Sequence, residues 1–266
     1  MHDRVGAVRV SRIGFTPLKG GRHREHPYVD LAMASPVGDR VFCLVDPARG
    51  RVLRTVENPG LLQTSAGWDA GVLTATLPDR TVSGVPAPTG EVLKVDYWGR
   101  VAALEVLDGP WAAAYSRHLG YDVLLSRATN PGEVVYGASV SLVTTTAMRT
   151  LARRLGGHLD EAAFRATFTV DTGAATRLDD LVRSTAEDGS SRRVRVGGAE
   201  IEVRSGVPRC AVVDLDPLTG VRASEVLRTL AGYRRGAGGL LFGMDAVVTE
   251  PGRVRVGDVV HTVEGG

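Results

Sequence analysis

Two thiols, a basic glycine loop and several arginines at strand ends are the residues of this chain with chemistry to offer. Cys210 stands in Ser205-Gly206-Val207-Pro208-Arg209-Cys210-Ala211-Val212-Val213-Asp214. The proline leads into a strand, so Cys210 is expected at the mouth of that strand with the Arg209 guanidinium beside it. Thiolate is the form that ligates soft metals and attacks sulfur, and electropositive, partly exposed surroundings favour it. The alternative for a lone cysteine is a small buried hydrophobe. Cys43, between Phe42 and Leu44 in an apolar run, is expected to be of that second kind.

The loop Lys19-Gly20-Gly21-Arg22-His23-Arg24-Glu25-His26 combines glycines, which let backbone N–H groups approach an anion, with cationic side chains. It lacks the P-loop spacing. His23 and His26 have metal-ligand types at i and i+3, without a convincing third ligand. Asp39-Arg40 and Arg54-Thr55 flank two consecutive strand candidates, and Arg165 lies between a short helical turn and a strand. Arginines at strand ends can converge on one anion, and the guanidinium fork suits phosphate or carboxylate. Taken singly, each is ordinarily a surface residue. Neither G-x-S-x-G nor H-E-x-x-H occurs, so the motifs for a nucleophile elbow and a zinc protease are missing. Gly236–Gly243 is glycine-rich, but it enters a strand instead of opening a helix, which is not the dinucleotide-binding context.

The elements that must position these residues are mostly strands. Val5–Ile13, Arg40–Asp46, Arg51–Val56, Gly71–Thr76, Glu91–Asp96 and Val101–Val106 are short Val-rich runs cut by turn residues. After them, helical period appears at Gly109–Leu119 and Thr144–Leu155, with a short turn at Asp160–Arg165 and a helix at Arg222–Arg235. Strands return at Phe168–Asp171, Arg192–Val196, Ala199–Val203, Arg209–Leu215, Leu241–Val248, Arg253–Val256 and Val259–Val263, and Arg183–Arg193 reads as a solvated loop. Long stretches have no room for the helices that a parallel α/β sheet needs between strands. The expected fold is therefore mainly β, barrel-like, with a few helices and hairpin pairing. A division near residue 108 gives two β-rich domains, 1–108 and 109–266.

The 266 residues, 43% of them hydrophobic and 23% charged, are ordinary for a globular protein. A net charge of +2 does not predict nucleic-acid binding. Two cysteines make no disulfide framework and no cysteine-built zinc site. No apolar run reaches a membrane span, and no signal peptide is read at the N-terminus, so the cytoplasm is expected.

Several motifs, taken in order, resemble one family. Pro17-Leu18-Lys19-Gly20 is similar to its P-V-K-S, Asp39-Arg40 with Val41–Asp46 to D-R-x-x-x-L-V-D, and Phe164-Arg165-Ala166-Thr167 to F-R-P-N. Leu53-Arg54-Thr55 before Glu57-Asn58-Pro59 matches more loosely. In the last third, Arg209-Cys210, Val213–Gly220, Leu227–Leu230, Phe242-Gly243 and Val256-Gly257-Asp258 follow in its order. The whole resembles the MOSC domain, named for the C-terminal domain of molybdenum cofactor sulfurase, preceded by its N-terminal β-barrel. Amidoxime-reducing molybdenum enzymes are similar. The resemblance implies a molybdenum-molybdopterin cofactor, with no pyridoxal phosphate required. Lys19, Arg40 and Arg165 would hold its phosphate and pterin, with Gly20, Arg54, Thr55, Thr167 and Arg209 adjacent, and Cys210 would be the metal ligand. Departures from the family are Gly20 for Ser, Thr167 for Asn, and no acidic residue around Tyr136-Gly137-Ala138.

Three functions remain open at this point. One is a molybdenum oxidoreductase that takes oxygen from an N-hydroxylated or N-oxide small molecule and needs an external electron-donor protein, because no flavin, haem or cluster motif is seen. Another is a sulfur carrier or transferase holding a Cys210 persulfide. The third is a non-catalytic binder of an anionic ligand, which the departures favour. No nucleic acid and no membrane is expected as a partner.

Overall fold

The computed structural model describes residues 7–173, 192–236 and 238–263. Its first strands are β1 (Arg9–Phe15), the two-residue β2 (Arg24–Glu25) and β3 (Tyr28–Leu31). Next come β4 (Phe42–Asp46) and β5 (Arg51–Val52), then a meander of β6 (Ser65–Asp69), β7 (Val72–Leu77) and β8 (Arg80–Gly84). The long hairpin of β9 (Ala87–Tyr97) and β10 (Arg100–Asp108) leads through α1 (Trp111–Leu119) to β11 (Leu124–Ala128). Strands β10, β11, β4, β5 and β9 close in that order into a five-stranded barrel. All five residues of β4 are buried, which is why that segment reads as a continuous apolar run instead of an alternating one. Cys43, Val45, Val95, Tyr97, Ala102 and Leu104 belong to one buried cluster there.

The second half supplies β12 (Val140–Thr144), α2 (Thr145–Leu155), β13 (Phe168–Asp171), β14 (Arg192–Val196) and β15 (Ala199–Pro208). After it come α3 (Val226–Ala231), β16 (Arg235–Gly236), β17 (Gly239–Glu250), β18 (Gly252–Arg255) and β19 (Val260–Thr262). They form most of a nine-stranded sheet, ordered β19-β14-β15-β17-β12-β13-β1-β2 with β16 on β17. Ile13, Phe168, Val170, Ile201, Met244 and Val248 are among its fully buried side chains. The chain is mainly β, at 47% strand, which matches the expected class. Strand pairing crosses residue 108 in both directions: β1 pairs β13, β3 pairs β18, and β11 joins the barrel.

Pairing is largely antiparallel, as expected; β12 and β13 run parallel, because α2 and a 3-10 turn at Glu161–Phe164 supply a crossover between them. Three local expectations are corrected. The helix expected over Arg222–Arg235 shrinks to α3. Buried Asp214 takes the chain before it, its backbone carbonyl accepting from the amides of Ala223 and Ser224 and its carboxylate from the Leu227 amide at 3.0 Å. Arg209–Leu215 is not a strand; β15 ends at Pro208 and a 3-10 helix runs over Ala211–Asp214, its buried Val213 packing with α2 and α3. Arg51–Val56 is extended only at β5, since the Arg54 carbonyl accepts from the Glu57 and Asn58 amides and turns the chain. The solvated loop expected at Arg183–Arg193 lies outside the described residues up to 191, and Arg192 and Arg193 belong to β14. Among the described residues no helix is long and apolar enough to cross a membrane.

Candidate functional site

A cleft of about 360 Å³ takes its lining from both the barrel side and the large sheet. That volume lies within the range of small-molecule sites. Every residue expected at the cofactor site lines it: Lys19, Gly20, Arg40, Arg54, Thr55, Arg165, Thr167, Arg209 and Cys210, whereas His23, His26 and Cys43 do not. The lining residues come from five separate stretches of chain, and only the fold brings them together.

The Cys210 thiol is free and exposed, whereas Cys43 is free and fully buried. Cys210 follows the end of β15 and stands at the N-cap of the 3-10 helix Ala211–Asp214, so it sits at a strand's exit and not at its mouth. Two guanidiniums lie within electrostatic reach of it, those of Arg165 and Arg209. Arg209 does not point at the thiol as a free charge. Its Nε donates to the Phe242 carbonyl at 2.7 Å and its Nη1 to that of Phe164 at 2.8 Å. It thereby clamps β17 to the end of the 3-10 turn that carries Arg165. Its Nη2 is buried with no hydrogen-bond partner among the described residues.

The cationic wall is built by strained backbone. Arg40 has φ +48° and Arg165 φ +52°. Left-handed conformations are uncommon for non-glycine residues and concentrate at functional sites. Arg40 is held by the Thr16 carbonyl on its amide and by an ion pair of 2.5 Å to buried Asp39. Arg165 caps the 3-10 turn and donates to the Gly21 carbonyl at 2.8 Å. Lys19 donates to the Tyr97 hydroxyl at 2.9 Å. Burial, with Arg40 and Arg165 beside it, pulls the Lys19 ammonium down to about 7. Burial and the Arg40 charge likewise bring Arg165 to about 10. Burial first, and then Arg165 and Arg40, hold the His23 imidazole well below its usual range, so it adds no charge to the wall. Among the described residues no cluster of three or more His, Cys, Asp or Glu side chains is placed to hold a metal ion, so no third ligand is seen beside His23 and His26.

Both substituted positions have structural explanations. Gly20 has φ +90°, which strains any side chain, and a Cβ there would lie 2.7 Å from Leu61 Cδ1, so a serine would have to push Leu61 aside. Gly20→Ser should therefore cost about 1–3 kcal/mol in thermal unfolding, through both strain and overlap, and should add no anion affinity. Thr167 is buried, and its hydroxyl accepts from the Ser141 amide at 3.2 Å, stitching its strand to β12.

Other lining residues had escaped notice as a set. Asp245, on β17, is the one acidic side chain among the described lining residues. Burial raises its carboxyl against the opposing pull of Arg209, the Ala138 amide and Arg40. It stands against the segment Tyr136-Gly137-Ala138, where a Cβ on Gly137 would lie 2.6 Å from Oδ2. An acid is thus present at that segment, supplied by a different strand. Its signal in the sequence is a lone charge inside the apolar run Leu240–Val248. Trp98 and Tyr136 also line the cleft while 43% and 53% exposed, which places them at its mouth.

A β-barrel joined to a large, mainly antiparallel sheet, with one exposed thiol and a cationic wall between them, defines the class. Residues 116–261, more than half of the chain, match the MOSC domain model. The chain belongs to the MOSC domain family. Among solved structures it is similar to the YuaD protein of Bacillus subtilis, with 11% identity, 97% of this chain and 98% of that one covered, and a TM-score of 0.46. It is also similar to YiiM of Geobacillus stearothermophilus, with 14% identity, 48% and 55% covered, and a TM-score of 0.33. No curated protein matches the chain.

Proposed function

We propose that this MOSC protein is a molybdenum-cofactor-dependent oxidoreductase that removes oxygen from N-oxygenated small molecules. The observation that carries this reading is one cleft holding both an exposed thiol and the half-buried cations Lys19 and Arg165. Among the described residues these two have no ion-pair partner, and a desolvated charge in that state is costly until an anion binds. The buried, unpartnered Nη2 of Arg209 is a further donor in want of an acceptor. These groups fit a pterin bearing a phosphate, and the Cys210 thiolate fits a soft metal.

On this reading Lys19, Arg40 and Arg165 bind the anionic end, Arg209 holds the Cys210 segment against β17, and Cys210 is the metal ligand. The cofactor, when bound, supplies the two-electron reduction; the chain supplies position and field. An external protein donor would deliver the electrons, and the cytoplasm is the proposed compartment. Metal analysis of the purified protein is the decisive experiment. Molybdenum near one equivalent supports the reading, and metal-free protein that stays metal-free after cofactor loading ends it.

A second reading has one observation in its favour: the thiol is exposed enough for another protein's sulfur to reach. Cys210 would then carry a persulfide. Cyanide treatment releasing thiocyanate from a metal-free preparation would favour this sulfur-carrier role over the reductase. Metal-free protein without labile sulfur leaves the anion-binding role.

Arg165→Ala tests the wall directly. It removes one charged hydrogen-bond donor, so affinity for a phosphate or sulfate probe should fall about 10- to 100-fold, or roughly 1.5–3 kcal/mol. The melting temperature of anion-free protein should change little, since the substitution also relieves repulsion against Lys19 and Arg40. Calorimetric titration showing unchanged affinity would remove Arg165 from the anion site.

A further inference from the structure

Four non-glycine residues among those described have positive φ, and three of them line the cleft: Arg40, Arg165 and Trp98. The two arginines belong to the anion wall, which leaves Trp98 unexplained. It is the first of two residues joining β9 to β10, with φ +56°, and Gly99 follows at +76°. Two successive positive φ values make a type I′ turn, which favours asparagine, aspartate or glycine at the first position. A bulky residue there is an outlier. The turn does not need the indole, because the Gly99 amide donates to Asp96 Oδ1 at 2.9 Å and the two strands pair up to Tyr97 and Arg100. Nor does the core need it, with 43% of the residue exposed. A strained residue at a cleft mouth, dispensable to turn and core, points to a role in binding.

Its neighbours indicate what would bind. The Arg54 guanidinium lies 4.2 Å from the Trp98 ring centroid, and Asp96 and Glu57, each 3.6 Å from Arg54, hold it over the indole. The Tyr136 ring stands 4.9 Å from Trp98 at an angle of 51°. Arg100 donates to the Val135 carbonyl at 3.0 Å and so fastens the hairpin to the segment carrying Tyr136. The residue before Trp98, Tyr97, is buried and meets Lys19 of the anion wall. With Arg54 covering one side of the indole, the exposed parts of Trp98 and Tyr136 are thus fixed at a set angle above a cationic cleft.

We propose that Trp98, with Tyr136 and Arg54, is a stacking subsite for a planar aromatic ring, so that the nitrogen compounds taken by this cleft are aromatic ones. The proposal rests on the reading of the cleft as a site for N-oxygenated compounds and specifies their class. Ring systems gain from offset and edge contacts in a way that aliphatic groups of similar polarity do not. Indole and phenol also lose little conformational freedom on binding, since each turns about only two bonds.

The test is an NMR titration of the purified full-length protein with benzohydroxamic acid and with cyclohexanecarbohydroxamic acid, two uncharged N-hydroxylated compounds of similar size that differ in the aromaticity of the ring. The native protein should bind the aromatic probe about tenfold more tightly. Trp98→Gly should abolish that preference by bringing the aromatic probe's affinity down to that of the saturated one. The variant's melting temperature should not fall, because glycine suits the turn better than tryptophan does. A native protein without the preference, or a Trp98→Gly protein that keeps it, overturns the proposal. A lost preference in a protein that neither holds molybdenum nor reduces any N-oxide would sustain the stacking subsite and remove the reductase reading instead.

Discussion

Replacing Cys210 with serine should reduce N-oxide reduction to background, at least about 100-fold, and should remove molybdenum from the purified protein while leaving the fold intact. The thiol is exposed, belongs to no core cluster, and accepts no capping hydrogen bond from an amide of the 3-10 helix following it, so its loss costs the native state little. Serine keeps the size but offers a hard, neutral hydroxyl where a soft thiolate ligand is required. Cys43→Ser is the matched control. Cys43 is fully buried between barrel strands, and burial pushes its thiol up to about 12, which leaves it protonated and inert. A hydroxyl there has no assigned partner, so this variant should lose about 1–3 kcal/mol of stability and retain its metal. Melting curves and metal content measured on both variants separate the two thiols. Equal loss of metal from both, with folding preserved, would mean that Cys210 is not the special one.

The contrast between the two cysteines was legible in the sequence, because flanking Phe42 and Leu44 mark a strand buried on both faces. So was the convergence of Lys19, Arg40 and Arg165, although only through ordered motifs, since no spacing rule connects positions 19, 40 and 165. What escaped were features set by tertiary contacts. The exit of the chain after Pro208 into a 3-10 helix depends on Val213 finding a core between α2 and α3. The shortening of the helix at 226–231 depends on the Asp214 carboxylate and carbonyl, contributed from a dozen residues upstream. A periodicity reading weighs side chains along one segment and has no access to such partners. Trp98 was hidden for another reason: Tyr97-Trp98-Gly99-Arg100 contains a turn glycine, but the aromatic before it resembles strand. The conflict between residue type and turn conformation appears only once φ is known.

Gly20 shows how a substitution can mislead. Read as a missing serine hydroxyl, it favours a protein that has lost its ligand. In the structure its positive φ strains any side chain and Leu61 crowds the place of one, and Arg165 reaches over to the adjacent Gly21 carbonyl. The loop is shaped around glycine, and its shape sets the Arg165 guanidinium beside Lys19.

Lys19 gives the second large expected effect, a pH dependence of stability that disappears when an anion binds. Its ammonium titrates near 7 in the folded protein because burial, Arg40 and Arg165 all disfavour the charge, against 10.5 for an unperturbed lysine. Between those two values the unfolded chain holds a proton that the folded chain has released. The unfolded state therefore binds more protons, and stability rises with pH across that window. Below 7 both states are protonated and the full penalty is felt; above 10.5 both are neutral and none is. Lys19→Met keeps much of the aliphatic stem and removes the charge. It should stabilise anion-free protein at pH 7 by roughly 1–3 kcal/mol, or several degrees, and be nearly neutral near pH 10.5. The slope is the critical reading, because the lost hydrogen bond to the Tyr97 hydroxyl offsets the whole curve without tilting it. Tyr97 itself, which burial raises to about 12, stays protonated throughout the window. Sulfate keeps a constant charge over this range and serves as the probe. Bound beside Lys19 it favours the ammonium, so it should raise the native melting temperature strongly at pH 7 and weakly at pH 10, with a much smaller effect on Lys19→Met. Parallel pH–stability curves for the native and Lys19→Met proteins would show that Lys19 keeps its charge in the empty cleft and that no desolvated cation awaits an anion there.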